Sequence, residues 1–344
     1  MKTHISTLTF TLPLAVALSV TSVQGASWIG GGVGSEYLTP GNWDDGLVPS
    51  SGSTQNINGP YTVTRSGNTT AGRTFVRGGA VLNVPGGNHD DDISDANKWN
   101  LLGEDSKGTI NQSGGTYEIG HGLRIGVGKN NSANSDGLYN QTGGDLVIYR
   151  AGNSKTEPSN PGGRTSMEIG DTAGAGLYQI SGGSLRTRTT VHIAEAGTFR
   201  VIGSGASSIG IGSEQSGDGG WLQKGLLSME IDAGGVTSIF VDDTGGGVGI
   251  AEFYSGSLLD LDFAAGVTPY GGTWTLMEVE GTNIVDSGLA LSSLVDPAWS
   301  FDIDNSGTNG VLTATFVQEP GTYPLLFGLA GLRLVWFRRS RLKS

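Results

Sequence analysis

Three eight-residue segments of the chain superpose without gaps: Gly108-Thr-Ile-Asn-Gln-Ser-Gly-Gly115, Gly137-Leu-Tyr-Asn-Gln-Thr-Gly-Gly144 and Gly176-Leu-Tyr-Gln-Ile-Ser-Gly-Gly183. Each reads as a short strand that ends in a Ser/Thr-Gly-Gly turn. A second recurring piece carries alternating strands that close on a small residue: Leu101-Leu102-Gly103, Leu123-Arg124-Ile125-Gly126, Met167-Glu168-Ile169-Gly170 and Val191-His192-Ile193-Ala194. The closing residues are spaced by 23, 44 and 24. The long interval fits two turns, or one turn plus an insert, and residues 150–164 have the Asn, Ser and Pro content of that insert. A unit of about 23 residues with short strands and glycine corners is what one coil of a parallel β-helix requires. Glycine supplies the left-handed backbone at corners, and alternating Ile, Leu, Val and Tyr fill the stacked interior. Asn111 and Asn140 recur at one position and predict an amide ladder, with Gln179 in their place in the third copy. An antiparallel sandwich or propeller also uses Gly-Gly turns, but here a repeat sets the spacing, not paired hairpins.

The expected fold class is therefore all-β: a right-handed parallel β-helix with an antiparallel β-rich cap, and short helical segments at both termini. Composition agrees by exclusion. Sixty of 344 residues are glycine, without a three-residue period and with only 11 prolines, so collagen is ruled out. That much glycine disfavours a helical bundle. A hydrophobic share of 36 % argues against wholesale disorder. Cysteine is absent, so packing and backbone hydrogen bonds must hold the fold without disulfides.

The two ends read as addresses. Lys2 precedes an apolar run from Phe10 to Val20 and then small and polar residues, the layout of a signal peptide over residues 1–25. Domain expectations follow: the repeat region over 26–225, a β-rich cap over 226–317, and a tail over 318–344. The cap reading rests on longer alternating strands such as Leu227–Asp232, Leu258–Phe263, Thr273–Glu278 and Val311–Phe316, which fit antiparallel strands, a terminal sandwich or more solenoid. The tail runs Gln318-Glu319-Pro320, then an apolar stretch to Phe337, then Arg338, Arg339 and Arg341. Its apolar stretch of about 14 residues is shorter than a stable membrane span, and the basic cluster would hold that end on the cytoplasmic side. A transient inner-membrane anchor fits better than a permanent one. Without residues 1–25 and 318–344 the chain keeps 14 basic and 31 acidic side chains, a net charge of −17. Such a body repels nucleic acid and anionic lipid.

This tail resembles the PEP-CTERM sorting signal of exopolysaccharide-producing Gram-negative bacteria, with Gln318 in place of the first proline. The resemblance implies processing by an exosortase-type membrane protease, with Glu319 and Pro320 in recognition and Arg338, Arg339 and Arg341 as the stop. The segment Gly41-Asn42-Trp43-Asp44-Asp45-Gly46-Leu47-Val48-Pro49 resembles the opening of autotransporter-like, pectin-lyase-type β-helix proteins, which implies a first coil and its lid.

Catalytic signatures are absent from the sequence: it has no Gly-x-Ser-x-Gly, His-Glu-x-x-His or Walker loop. The Gly-x-Gly pairs, such as Gly126-Val127-Gly128, sit in turn context and read as corners. His121 and His192 read as surface or structural. Two acidic runs carry side chains that could ligate a cation. His89-Asp90-Asp91-Asp92 with Asp95 reads as a solvated loop. Asp302, Asp304 and Ser306 have the alternating oxygens of a calcium loop but lack the downstream bidentate Glu, and read first as a hairpin turn. No other cofactor is expected. The leading functional expectation is a non-enzymatic, exported cell-surface or matrix protein, with extracellular polysaccharide and the protease as partners. The alternatives are a polysaccharide lyase or hydrolase, with bases among Arg124, Arg186 and Arg188, and a glycan-binding module, which needs exposed Trp or Tyr in a row, whereas Trp99, Trp221 and Trp274 are scattered and read as core or cap residues.

Overall fold

Residues of equal rank in successive repeats pair as neighbours in parallel sheets in the computed structural model. It describes residues 25–32, 34–91, 99–120, 122–128, 132–149, 152–153, 164–212, 219–242, 249–268, 271–281 and 283–317. Leu102, Ile125, Ile169 and Ile193 are direct register partners. The 44-residue interval is thus a single coil with an excursion, of which the hairpin strand Gly152–Asn153 is described.

Each coil crosses three faces. One sheet carries a single strand per coil and forms the first face, from Ala26–Ser27 to Ile284–Asp286. The other sheet supplies the second and third faces. In the middle coils one 13-residue strand spans both: Lys107–Ile119, Asp136–Ile148 and Ala175–Thr187. Coils on either side split that strand in two, as in Ala80–Val84 with Asn88–Asp91 and Gly197–Ile202 with Ala206–Ile211. The register shifts along the long strands fall at the Gly-Gly pair, where the chain bends from one face to the next.

The second glycine of each pair has no substitute. Gly115, Gly144 and Gly183 have φ of +68°, +75° and +79°, and a Cβ on each would strike the carbonyl oxygen of Gly87, Gly115 and Gly144 in the preceding coil. Only glycine combines the left-handed backbone with that approach.

Pairing continues parallel well past residue 225. Leu226–Ile231 pairs in parallel with Gly197–Ile202 and Leu258–Phe263, and Ile250–Phe253 pairs in parallel with Gly220–Gln223 and Ile284–Asp286. Among the described strands past residue 225, antiparallel pairing joins only Gly272–Glu280, Asn309–Phe316 and Trp299–Asp304. The block expected as a cap from 226 onward is thus mostly solenoid, and its antiparallel part begins at Gly272. Alternating strands look alike in both pairings, and only the partner distinguishes them. The expected terminal helical segments, signal peptide and sorting tail lie outside the described residues. A 3-10 turn at Pro40–Asn42 is the only helical element among the described residues.

Candidate functional site

Two ladders run along the second face, one on each side of the sheet. Outside, Asn111 Nδ2 donates to Asn83 Oδ1 at 3.0 Å, Asn140 Nδ2 to Asn111 Oδ1 at 3.5 Å, and Gln179 Nε2 to Asn140 Oδ1 at 2.9 Å. The expected amide ladder is present, one coil longer than the repeat suggested. In the next coil Arg200 takes the position and pairs with Glu230 at 2.6 Å. Inside, the next residue along carries the second ladder. Gln141 is buried and donates through Nε2 to the carbonyls of Gly144 (2.9 Å) and Ser184 (2.8 Å), while its Oε1 accepts the Tyr178 hydroxyl at 2.5 Å. Gln112 repeats this with Gly115, Asp145 and the Tyr139 hydroxyl. The glutamine of Gln-Ser/Thr-Gly-Gly thus satisfies the carbonyl exposed by the corner, which would otherwise be costly inside the core. Burial raises the Tyr139 and Tyr178 phenols well above their usual range, so both stay neutral donors.

The described part of the first acidic run is a strand, Asn88–Asp91, and not a solvated loop. Alternation points His89 and Asp91 inward, both fully buried. Asp91 Oδ1 meets Arg65 Nη2 at 3.1 Å, and its Oδ2 accepts the hydroxyls of Thr74 and Tyr117 at 2.6 Å each. Arg65 Nε donates to Thr69 Oγ1, which lies 2.9 Å from His89 Nδ1. His89 Nε2 lies 2.7 Å from the Gly86 carbonyl, which can only accept, so the ring donates there and accepts from Thr69. Burial and the nearby Arg65 charge lower the His89 pKa to about 4. The set is a polar plug inside the N-terminal coils. Above it, Trp43 packs edge-on against Trp28 and Tyr37 at 5.2 and 5.1 Å, and Asn42 bonds to the backbone of Gly32, Gly34 and Glu36. The Asn-Trp segment is thus part of the N-terminal lid.

The remaining sequence candidates separate. Arg124 lies on the first face, paired with Glu168 at 2.7 Å and over the Trp99 ring at 4.3 Å. Arg186 shares the third face with Asp90, but Glu118 and Val147 stand between them in the register. Arg188 follows the end of the strand Ala175–Thr187. Trp221 is fully buried against Phe199, and Trp274 packs in the C-terminal aromatic cluster, so the tryptophans form no row. His192 is buried on the first face. Asp302 and Asp304 are exposed at the hairpin Trp299–Asp304/Asn309–Phe316, where Asp304 Oδ1 accepts the Ser306 amide at 2.8 Å. Hydrogen bonds from the Ser306 hydroxyl and then its amide lower the Asp304 pKa. Among the described residues no three acidic or imidazole side chains converge as a metal site. Asp92, Asp95, His121 and the sorting residues Gln318, Glu319, Pro320, Arg338, Arg339 and Arg341 lie outside the described residues, and no described helix is long and apolar enough to cross a membrane.

Two open clefts lie on the outer surface. One, of about 290 Å³, follows the outer amide ladder and is lined by Arg200, Ser228, Glu230, Asp260 and Asp262 with Leu177 and Leu226. The other, of about 400 Å³, lies on the third face between Arg186 and Phe240. Comparison with protein-family models, with curated proteins and with solved structures found no match.

Proposed function

We propose that the chain is an exported cell-surface protein that serves as a structural or adhesive component of the extracellular polysaccharide matrix. In this reading an exosortase-type membrane protease processes its tail after a transient stay in the inner membrane. The observation that supports it best is the outer flank of the second face, where Asn83, Asn111, Asn140 and Gln179 line an unbroken stack of coils with hydrogen-bonded amides. A long, stiff polar flank suits repeated weak contacts with a polymer better than one small-molecule pocket. The strongly acidic body suits a protein that stays soluble outside the cell, and the layout of the tail supports the sorting step.

The test is expression of the full chain in an exopolysaccharide-producing Gram-negative host that carries an exosortase. The wild type should be recovered shortened and bound to the matrix. A Glu319→Ala/Pro320→Ala variant should keep its full mass and stay with the inner membrane. An unchanged processed mass in that variant overturns the sorting step. Wild-type protein that fails to sediment with purified matrix polysaccharide overturns the adhesive role.

A further inference from the structure

The outer amide ladder stands beside a second column. Val81, Thr109, Leu138 and Leu177 are register partners, two residues before Asn83, Asn111, Asn140 and Gln179. Both columns point outward, because the residues between them, Leu82, Ile110, Tyr139 and Tyr178, are buried in the core. Ser113, Thr142 and Ser181, two residues further on, add a rim of hydroxyls before the Gly-Gly bend. Thr62 and Thr64 extend both columns by one coil toward the N-terminus. The result is a strip five coils long, apolar along one side and hydrogen-bonding along the other, in which every outward side chain is uncharged. Its borders are charged. Lys107 and Asp136 pair at 3.1 Å where the strands begin, Glu36 bridges to Thr64 at one end, and Arg200 pairs with Glu230 at the other. The net charge of −17 lies entirely outside the strip. Asn111 and Asn140 each use one N–H and one lone pair within the ladder, so one N–H and one lone pair remain on each. The ladder bonds hold these side chains in place, and little rotamer freedom is lost when they take a partner. Successive coils are roughly 4.8 Å apart, close to the length of one pyranose in an extended β-1,4-linked chain. The strip measures roughly 19 Å by 13 Å, an area on the order of 250 Å² that covers about four sugars. A stable protein partner needs ~800 Å².

We propose that this strip binds a neutral, extended polysaccharide chain lying parallel to the axis of the coils. The C–H faces of the sugar rings rest on the column of Leu138 and Leu177, and the hydroxyls exchange hydrogen bonds with the amides. Successive residues of an extended β-1,4-linked chain are turned over, so alternate hydroxyl edges face the ladder. An amide that keeps both a donor and an acceptor serves either edge. Charge fixes the class: the strip offers an acidic polymer no cation, and the acidic body around it repels one. Each contact is weak, and repetition from coil to coil supplies the affinity. The inference rests on the polysaccharide-matrix reading and names the class of chain and the lie of the chain that reading leaves open.

The test is calorimetric titration of the full chain with cellohexaose, with a β-1,4-linked glucuronate hexamer as its charged match, and with maltohexaose, whose α-1,4 linkages coil the chain. Wild type should bind cellohexaose at least about tenfold more tightly than either of the others. Leu138→Glu places a charge in the middle of the apolar column and should abolish binding. Asn111→Ala with Asn140→Ala should weaken cellohexaose binding by about tenfold. Phe240→Ala, on the third face, should bind as the wild type does. Thermal melts show that each variant is folded. Because the outer amides face solvent, the alanine pair keeps the test decisive should Leu138→Glu not fold. Equal affinity for cellohexaose and either other probe, or unaltered binding in the alanine pair, overturns the proposal, as does a loss of binding in Phe240→Ala. Protein that reaches the matrix yet does not bind cellohexaose sinks this inference alone, whereas protein that binds cellohexaose but is never exported sinks the earlier reading alone.

Discussion

The two ends of the solenoid close the same kind of stack with opposite chemistry. At the N-terminal end the interior holds Arg65, Asp91, His89, Thr69, Thr74 and Tyr117 in one hydrogen-bonded set. At the C-terminal end Phe263, Trp274, Trp299 and Phe316 pack ring against ring, with centroids 5.0 to 5.8 Å apart. Directional partners specify one arrangement but fail together when one is lost. Apolar area tolerates loss in parts and takes no account of protons. The N-terminal closure should therefore be the brittle and pH-sensitive one.

The largest effect is expected from Asp91→Ala, which leaves the Arg65 charge buried without its partner. Chemical denaturation should show a loss of about 4 kcal/mol. Replacing both members, Arg65→Met with Asp91→Leu, should recover most of it, and a double variant as weak as the single one would refute the ion-pair account. Trp299→Ala comes next, at about 3 kcal/mol from lost burial and a cavity. Its cost should be the same at pH 4.5 and pH 7, and a pH-dependent cost would erase the contrast between the ends. Third is acidification itself. His89 titrates near 4 when folded, below its ordinary value of 6.5. Between those values the unfolded chain binds a proton that the native protein refuses. Stability should thus be complete above about pH 6.5 and fall by ~3 kcal/mol as pH drops to 4. His89→Asn should flatten that slope in thermal melts across the range. The smallest effect compares sequence neighbours on opposite sides of one strand. Asn140→Ala removes outer ladder bonds and should cost under about 1 kcal/mol, whereas Gln141→Ala strands buried carbonyls and the Tyr178 hydroxyl at about 2 kcal/mol. Equal melting shifts would count against the inner ladder.

The sequence disclosed the repeating part of this architecture because glycine leaves a mark that no neighbour can imitate. Gly114-Gly115, Gly143-Gly144 and Gly182-Gly183 punctuate the coils as read, and the ladder of Asn111 and Asn140 follows from their common rank. The inner glutamines stand beside those asparagines in the same motif. The Tyr139 and Tyr178 that answer them were visible as core residues, yet their hydrogen bonds cross between coils and have no local signature. The plug was illegible for the same reason. Arg65 and Asp91 are 26 residues apart, and a run of Asp after His suggests solvent until the alternation of a strand is imposed on it. The full length of the uncharged strip required knowing that Thr62 and Val81 share a column with Leu138, which irregular coil lengths hide. Parallel and antiparallel strands share one hydrophobic period, so residue 226 marked a change in strand length and not in pairing.

The 44-residue coil has a practical consequence. Its strand Arg164–Ile169 pairs in continuous register with Gly122–Ile125 before it, and after a one-residue bulge between Thr165 and Met167 its residues Met167–Ile169 fall into register with Val191–Ile193. Extra chain between residues 149 and 164 is therefore accommodated without propagating an error along the stack. Loop closure grows only slowly with length, by about 0.6 kcal/mol per doubling. That interval is a natural port for display: a peptide epitope or a small folded domain spliced there should ride on the outside of the rod while the coils beneath keep their register.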